Sequence, residues 1–359
     1  MGNLKTNIRK QLWNGYTLLE SKRHLLTYFF WECTLQCNLF CRHCGSDCRK
    51  STADTELADD VVLSVFEDIS NHYCPEKILV AVTGGEPLVR KNLFDIMYQV
   101  KKMGFRWGIV TNGFAVTKDI VNNCIESGMS MVSVSLDGDE ASHNWLRNHP
   151  DAYKNAVNAI QIFRAEKQLQ KIDVITCVHY QNIGKLEDIY HTVCDLGANS
   201  WRLFTIFPKG RALKHPDIIV NASILEQTLR FIQTVRAEDQ KLKISYCEEG
   251  YLGDDWECNV RDMPFFCSAG INIGGLLNDG SFSACPSLSR EWIQGHANES
   301  RFSDVWENRY QNMRNRNWMK TGECAQCKQW RHCKGSSLHL WDWCKHKPEI
   351  CHFNMLNRI

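Results

Sequence analysis

The N-terminal part of the chain alternates short apolar runs with longer amphipathic stretches. Six runs rich in Val, Ile and Phe lie at about 26 to 36, 78 to 83, 105 to 111, 131 to 136, 172 to 179 and 200 to 207. Short, uniformly apolar runs are typical of parallel strands buried on both faces. The amphipathic stretches between them are Glu56 to Tyr73, Asn92 to Met103, Thr117 to Ser127, Ala152 to Gln168 and Ile183 to Leu196. The pattern therefore predicts six strand–helix units in an α/β domain.

Three glycines, Gly104, Gly128 and Gly197, stand where three of these predicted helices should end. Six strand–helix units fit either an incomplete barrel or a doubly wound sheet, and periodicity alone does not separate the two. A further helix is predicted from Ala222 to Gln240. The expected divisions are a lead-in at 1–25, the α/β domain at 26–215, a linker helix at 216–244 and a Cys-rich domain at 245–359.

Cysteine usage and charge narrow the class of protein. The chain has 18 Cys among 359 residues, but its start has no apolar signal core, and nowhere do about 18 apolar residues follow one another. We therefore expect a cytoplasmic protein with no membrane partner, whose cysteines bind metal rather than form disulfides. The 42 basic and 41 acidic residues give a net charge of +1, which argues against nucleic-acid binding.

Three cysteines, Cys37, Cys41 and Cys44, directly follow the first predicted strand in a C-x3-C-x2-C spacing. Three thiolates can hold a four-iron, four-sulfur cluster but leave one iron without a protein ligand. Purely electron-carrying clusters normally take four Cys, so the open iron predicts a place for chemistry. The neighbouring Cys33 and Cys48 are interpreted as structural thiols or as thiols supporting the ligands.

This motif resembles that of the radical S-adenosylmethionine (SAM) superfamily. The resemblance implies that the open iron chelates the methionyl amine and carboxylate of SAM. It also implies the superfamily's fold, a partial (β/α)6 TIM-type barrel, and so favours the barrel over the doubly wound sheet. The cluster would lie at the C-terminal ends of the strands, where barrel enzymes keep their active sites.

The ends of later strands carry residues that resemble the superfamily's SAM-binding elements. Gly84 and Gly85 would let the backbone approach a ligand, and Glu86 offers an acceptor to the methionyl ammonium. A guanidinium at Arg147 could pair with the SAM carboxylate, and His43 could stack on adenine. The complete set implied by the resemblance is His43, Gly84, Gly85, Glu86, Asn112, Ser135, Asp137 and Arg147. Asn112 and Asp137 precede glycines, so a plain turn is the alternative for each.

The C-terminal region carries a second group of cysteines. Gly280-x4-Cys285 precedes Cys324-x2-Cys327-x5-Cys333, and these spacings resemble the SPASM extension, which binds auxiliary iron–sulfur clusters. An α+β SPASM domain with one or two auxiliary [4Fe-4S] clusters is expected, and structural zinc is the alternative. The candidate ligands are Cys258, Cys267, Cys285, Cys324, Cys327, Cys333, Cys344 and Cys351.

Ser337 departs from the SPASM pattern, because it stands where the family has a further cysteine. By resemblance the second auxiliary cluster takes Cys324, Cys327, Cys333 and a late cysteine, for which Cys351 is better spaced than Cys344. The first takes Cys258 or a near neighbour, Cys267, Cys285 and the position of Ser337. Either Cys344 or Cys247 completes that first cluster, or one of its irons is open to substrate.

The resemblance implies an enzyme that cleaves SAM reductively and abstracts hydrogen with the resulting 5′-deoxyadenosyl radical. A peptide or small protein substrate is the main expectation, with a weaker likeness to proteins of the radical SAM/lipoprotein-system group. A small molecule such as a tetrapyrrole or cofactor precursor is the first alternative, and a cluster of Arg202, Arg211 and Arg261 in the cavity would favour it. A non-enzymatic iron–sulfur or zinc protein is the second alternative. A flavodoxin- or ferredoxin-type electron donor is expected.

Overall fold

The computed structural model describes residues 2–49, 56–239, 241–247 and 249–357, with side chains from residue 9 onward. In these ranges one large sheet has the strand order β10-β9-β8-β1-β2-β3-β4-β5-β6-β7, and β11 pairs with β12 separately. The strands are β1 (Tyr28–Thr34), β2 (Leu79–Gly84), β3 (Arg106–Thr111), β4 (Met129–Ser135), β5 (Lys171–Val178), β6 (Ser200–Thr205), β7 (Lys243–Tyr246), β8 (Ile273–Leu276), β9 (Ser281–Ser283), β10 (Gly295–His296), β11 (Trp341–Asp342) and β12 (Lys347–Pro348).

Helices connect most of the strands. They are α1 (Gly2–Arg23), α2 (Asp59–His72), α3 (Leu93–Lys102), α4 (Lys118–Glu126), α5 (Glu140–Arg147), α6 (Ala152–Ala165), α7 (Leu186–Asp195), α8 (Ala222–Glu238), α9 (Glu257–Val260), α10 (Phe302–Arg309), α11 (Gln311–Arg314), α12 (Gly322–Ala325), α13 (Trp330–Cys333) and α14 (His352–Asn357). Gly104, Gly128 and Gly197 follow α3, α4 and α7 with φ values of 96°, 89° and 72°. This left-handed conformation ends the helices where the sequence predicts.

The strand order decides between the two predicted α/β architectures. Strands β1 to β7 are parallel and follow one another in chain order. A doubly wound sheet reverses its order at a switch point, whereas right-handed crossovers between consecutive strands place all helices on one side. The six predicted strand–helix units and the partial-barrel fold are therefore confirmed.

Helix α1 lies in the predicted lead-in and was not expected. Its apolar residues do not follow a clear helical stripe, so the sequence pattern does not reveal it. The helix contacts the C-terminal domain, since Arg9 donates a hydrogen bond to the carbonyl of Asp262 at 2.8 Å and Lys10 pairs with Asp254. The ring of Trp13 packs edge-on against Phe266. The lead-in is thus part of the folded structure.

The sheet continues past the predicted end of the α/β domain. Strand β7 crosses the expected boundary at residue 244, and β8, from the Cys-rich region, pairs in parallel with β1. The two regions also pack together in the core, where the ring of Phe29 on β1 and the ring of Phe302 on α10 lie 5.1 Å apart. Strand β1 therefore has hydrogen-bonded neighbours from both regions of the sequence. Within the described ranges no helix has the length and apolarity needed to cross a membrane.

Candidate functional site

The loop from Cys37 to Cys44 is fixed at the C-terminal end of β1 by hydrogen bonds to its backbone. The amide of Cys37 donates to the carbonyl of Arg49 at 2.8 Å. Arg211 donates its Nε to the carbonyl of Cys41 at 2.8 Å and its backbone amide to the carbonyl of Cys44 at 2.9 Å. The loop after β6 therefore closes over the three cysteines.

The three thiols of this loop are close enough to influence one another. Burial, together with the neighbouring Cys41 and Cys44, raises the pKa of Cys37 to about 12. Burial also raises the pKa of Cys41. The Cys48 thiol donates a hydrogen bond to Cys44 and lowers its pKa to about 6. Metal binding deprotonates thiols, so a cationic iron cluster would stabilise the thiolates of Cys37 and Cys41, while Cys48 stabilises that of Cys44.

Gly84 and Gly85 bring the end of β2 against the cysteine loop. The amide of Gly85 donates to the carbonyl of Thr34 at 2.8 Å. A Cβ atom would lie 2.2 Å from the carbonyl oxygen of Thr34 at Gly84, and 2.0 Å from that of Gln36 at Gly85. These glycines therefore allow a close approach between two backbone segments of the protein, whereas their sequence suggested a close approach to SAM.

Glu86 is fully buried, and its carboxylate accepts hydrogen bonds from the protein itself. Thr111 Oγ1 and the amide of Asn112 each donate to it at 2.7 Å. Burial raises its pKa, whereas these donors lower it. The side chain of Asn112 in turn donates to Asn38 at 2.8 Å and lies 3.9 Å from the sulfur of Cys37. Glu86 and Asn112 thus connect the ends of β2 and β3 to the cluster loop.

Asp137 and Arg147 form a buried ion pair beside Cys41. Arg147 Nε donates to Asp137 Oδ2 at 2.6 Å, and its Nη1 lies 3.9 Å from the Cys41 sulfur. Burial opposes ionisation of Asp137, but Arg147 and His143 hold its pKa below the ordinary value. The other carboxylate oxygen accepts from the amide of Cys177 at 2.9 Å. The guanidinium is therefore held in place next to the predicted cluster.

Ser135 and His43 are the remaining predicted SAM contacts. Ser135 is buried at the end of β4, two residues before Asp137. Burial lowers the pKa of His43 to about 3, so its imidazole is neutral, and its Nδ1 is buried without a hydrogen-bond partner among the described residues. The predicted residues thus lie at strand ends, in loops and, for Arg147, at the end of α5. Asn112 and Arg147 approach the sulfurs of Cys37 and Cys41. Their roles toward SAM remain predictions.

A cavity of about 630 Å³ opens beside the cluster loop. This volume is within the range of small-molecule sites, about 300–1,000 Å³. Its lining combines the cluster loop, the ends of β1, β5 and β6, and the segment after Cys285, and includes His43, Cys44, Cys177, Lys209, Glu249, Glu32, Arg290 and Glu349. The cavity therefore adjoins the loop that carries the predicted cluster ligands.

Two nearly fully buried carboxyl groups face this cavity, and the sequence analysis missed both. Glu32 is on β1, and burial raises its pKa to about 7. Its Oε2 accepts one long hydrogen bond, 3.5 Å from the amide of Asn278. Glu249 accepts from the amide of Thr205 and from Tyr246, and burial raises its pKa. An acidic residue inside the apolar first strand was the signal that could have revealed Glu32.

The three arginines proposed as an anion-binding group do not converge. Arg202 pairs with Asp173, Arg211 binds the cluster loop, and Arg261 pairs with Glu257. None of the three lines the cavity. The cationic side chains that do line it are Lys209, which donates to the carbonyl of Ser287 at 2.8 Å, and Arg290, which pairs with Asp279.

Four cysteines of the C-terminal domain come together at α12, α13 and the start of α14. Burial raises the pKa of Cys324 to about 11, and Cys351 and Cys327 raise it further. Burial also raises the pKa of Cys333, and Cys351 and Cys324 act in the same direction. Cys324, Cys327, Cys333 and Cys351 are therefore mutual neighbours, as the predicted second auxiliary cluster requires.

The first auxiliary site is less complete. Burial raises the pKa of Cys285, the amide of Ser287 lowers it, and the neighbouring Cys267 raises it, so the two thiols are close. Cys247 instead faces Glu249, to which it is hydrogen-bonded. Cys344 is exposed in the turn between β11 and β12. The expectation that Cys247 or Cys344 lies beside Cys267 and Cys285 is not supported, and the structure favours Cys351 over Cys344 as a ligand.

Cys258 is half-buried in the short helix α9. Its role in the first cluster remains a prediction. Among the described residues no three His, Cys, Asp or Glu side chains converge closely enough to hold a single metal ion.

Comparison with known proteins gives matches over both regions. Residues 31–193 match the family described as the radical SAM superfamily. Residues 267–328 match SPASM, described as an iron-sulfur cluster-binding domain. The first match begins in β1 and includes the cysteine loop, the glycine pair and the Asp137–Arg147 pair. The second includes Cys267, Cys285, Cys324 and Cys327.

Two relatives and one solved structure illustrate the range of similar proteins. An AdoMet-dependent heme synthase of Nitratidesulfovibrio vulgaris is 24% identical over 349 residues, 92% of each chain. A PqqA peptide cyclase of Bradyrhizobium diazoefficiens is 23% identical, covering 82% of this chain and 77% of its own. The crystal structure of Streptococcus suis SuiB bound to S-adenosylmethionine has a TM-score of 0.68 and 14% identity, covering 89% and 75%. The last likeness concerns the fold alone.

Proposed function

Because the chain is a radical SAM enzyme with a C-terminal SPASM domain, we propose that it abstracts hydrogen from a small organic molecule bound in the cavity beside Cys44. The radical SAM domain binds SAM and a [4Fe-4S] cluster, and the SPASM domain binds auxiliary clusters. The bound cofactors supply an electron and the 5′-deoxyadenosyl radical. The task of the protein is to place the substrate and to exclude water.

The cavity is the observation that carries this proposal. It has the volume of a small-molecule site and is bounded by His43 and Cys44 of the cluster loop and by the segment after Cys285. One substrate can therefore lie between the SAM site and the auxiliary cysteines. The name of the Nitratidesulfovibrio vulgaris relative, a heme synthase, also favours a small molecule over the peptide substrate expected from the sequence.

The charges of the cavity indicate the kind of small molecule. Glu32 and Glu249 present carboxyl groups, and Arg202, Arg211 and Arg261 do not line the cavity. The two cations that do line it are already engaged, Lys209 with the carbonyl of Ser287 and Arg290 with Asp279. A molecule with several carboxylates would need clustered guanidinium groups for binding. We therefore expect the substrate to present hydrogen-bond donors to the two glutamates, as an amine or a nitrogen heterocycle does.

Peptide maturation is the second candidate. The relative named PqqA peptide cyclase covers most of this chain, and the amide groups of a peptide would also supply hydrogen-bond donors to Glu32 and Glu249. In either case we propose a flavodoxin- or ferredoxin-type protein as the electron donor.

The test separates an extract of the producing cells into low-molecular-mass and protein fractions. Each is added anaerobically to the reconstituted enzyme with SAM and dithionite, and the release of 5′-deoxyadenosine is measured. We expect stimulation by the low-molecular-mass fraction, weakened in Glu249→Gln but not in Glu238→Gln, which changes an exposed glutamate on α8. Stimulation by the protein fraction alone would favour peptide maturation and contradict the main proposal.

A further inference from the structure

The region of the first auxiliary cluster contains a histidine with an unused ring nitrogen. His339 Nε2 is buried, and it has no hydrogen-bond partner among the described residues. The ring packs 4.8 Å from that of Phe207, on the loop that follows β6. Buried polar atoms without a partner are rare because they lose the hydrogen bonds that water would provide. The nitrogen is thus available to a ligand that the protein itself does not supply.

His339 is two residues after Ser337, the position at which SPASM domains have a cysteine ligand. Arg316 connects this segment to the first auxiliary site. Its Nη2 donates to the carbonyl of Cys267 at 2.7 Å, and its Nη1 donates to the carbonyl of Ser336 at 3.4 Å. One guanidinium therefore holds the segment that carries Ser337 and His339 next to a predicted cluster ligand.

Lys209 connects His339 to the other cysteine of the site. Lys209 lies two residues after Phe207, whose ring packs against His339. Its Nζ is 2.8 Å from the carbonyl of Ser287, two residues beyond Cys285. The loop after β6 therefore contacts both the His339 ring and the segment that follows Cys285.

We propose that His339 replaces the missing cysteine and binds an iron of the first auxiliary cluster through Nε2, together with Cys267 and Cys285. Imidazole is an established ligand of iron–sulfur clusters, where it replaces thiolate and raises the reduction potential. A neutral ring removes one negative charge from the cluster, which makes its reduction easier. The cluster would then be bound by the imidazole of His339 in place of the thiolate that the family has at the position of Ser337.

His352 provides a matched control. Both of its ring nitrogens are buried without hydrogen-bond partners among the described residues. Its Nδ1 faces Gly250, where a Cβ atom would lie only 2.3 Å from it, and the charge that acts on its ring is that of Arg261. It therefore shares the burial of His339 and acts electrostatically on that ring, but its own ring packs against Tyr246 rather than against Phe207.

The experiment uses the full chain with Cys37, Cys41 and Cys44 replaced by Ala, so that spectra report the auxiliary clusters alone. Iron content and the reduction potentials are measured after anaerobic reconstitution. Pulsed EPR of the reduced protein, with and without ¹⁵N-labelled histidine, measures nitrogen hyperfine coupling. We expect about eight irons per chain and a histidine nitrogen coupled to one cluster.

The variants test the ligand directly. His339→Ala should lose about four irons, whereas His339→Cys should keep them, lose the nitrogen coupling and shift one potential to a more negative value. The double variant Ser337→Cys with His339→Ala should regain the irons, which separates ligand loss from misfolding. His352→Gln should retain the coupling. Absence of the coupling in the parent, its persistence in His339→Cys, or its loss in His352→Gln would overturn the proposal.

Discussion

The Nε atom of Arg147 lies 2.6 Å from Asp137 Oδ2, while the same guanidinium reaches to 3.9 Å from the sulfur of Cys41. One side chain from α5 thus joins the end of β4 to the cluster loop. Both members of the ion pair are buried, so the pair is protected from solvent screening. The ion pair should therefore affect both the stability of the fold and the predicted contact between Arg147 and the SAM carboxylate.

Replacing Arg147 by Met should lower the free energy of unfolding by about 3–5 kcal/mol, because Asp137 would remain as a buried, unpaired charge. SAM binding should weaken as well. Anaerobic guanidinium unfolding and titration calorimetry measure the two effects. Arg230→Met is the control, since Arg230 pairs with Glu226 on an exposed helix surface and should change stability by less than about 1 kcal/mol. Equal losses in both variants would contradict the structural role of the pair.

Cys41→Ala should abolish release of 5′-deoxyadenosine under dithionite, because only two thiolates of the cluster loop would remain. The product is quantified by liquid chromatography after anaerobic reconstitution. Cys74→Ala changes an exposed thiol outside the site and should leave release unchanged. Parent-like release from Cys41→Ala would exclude the cluster assignment.

A methyl group at Gly85 should displace the cluster loop. The added Cβ would lie 2.0 Å from the carbonyl oxygen of Gln36, a contact that the backbone can relieve only by moving. Gly85→Ala should therefore reduce the iron bound by the Cys37, Cys41 and Cys44 site. Gly184→Ala adds the same atom where nothing lies within 4 Å and should bind iron like the parent. An unchanged iron content in Gly85→Ala would contradict this prediction, because it would mean that the cluster loop accommodates the added methyl group.

Cys351→Ala should remove about four irons, whereas Cys344→Ala should leave the iron content unchanged. Cys351 neighbours Cys324 and Cys333, whereas Cys344 is exposed in a turn. Iron analysis of both variants in parallel tests this assignment. The reverse result would exchange the roles of the two cysteines.

Glu32 should make stability depend on pH. Burial raises its pKa from 4.5 to about 7, so the folded protein holds this proton more tightly than the unfolded chain does. The stabilisation is complete below the unfolded pKa and is lost as the pH rises through about 7. Relative to Glu32→Gln, the parent should lose up to about 3 kcal/mol between about pH 5 and about pH 8. Parallel pH curves for the two proteins would contradict the raised pKa.

The strands and outer helices were predictable because the apolar residues of each follow a clear local pattern in the sequence. Strand β5, expected at 172 to 179, forms at Lys171–Val178, and α8 begins at Ala222 as expected. Helix α1 was missed because its apolar positions do not form a regular stripe. The pairing of β8 with β1 was also missed, since no local pattern indicates a partner more than two hundred residues away.

The cysteine positions were predictable because ligand spacing is written directly in the sequence. The roles of Gly84 and Gly85 were less predictable, since a glycine pair shows that something approaches closely but not what it is. Glu32, Glu249 and Lys209 contribute to the cavity from three separate segments. Each is a single polar residue without a surrounding motif, so only the folded chain shows that they meet.

The pairing of β8 with β1 has a consequence for the order in which the protein can be made. Strand β1 is translated early, but Ile273 to Leu276, which cover its second edge, leave the ribosome only when most of the chain has been synthesised. Until then the strand that leads into Cys37 has an open edge and lacks its packing against Phe302. Stable binding of a cluster at Cys37, Cys41 and Cys44 should therefore follow, rather than precede, the emergence of β8 from the ribosome.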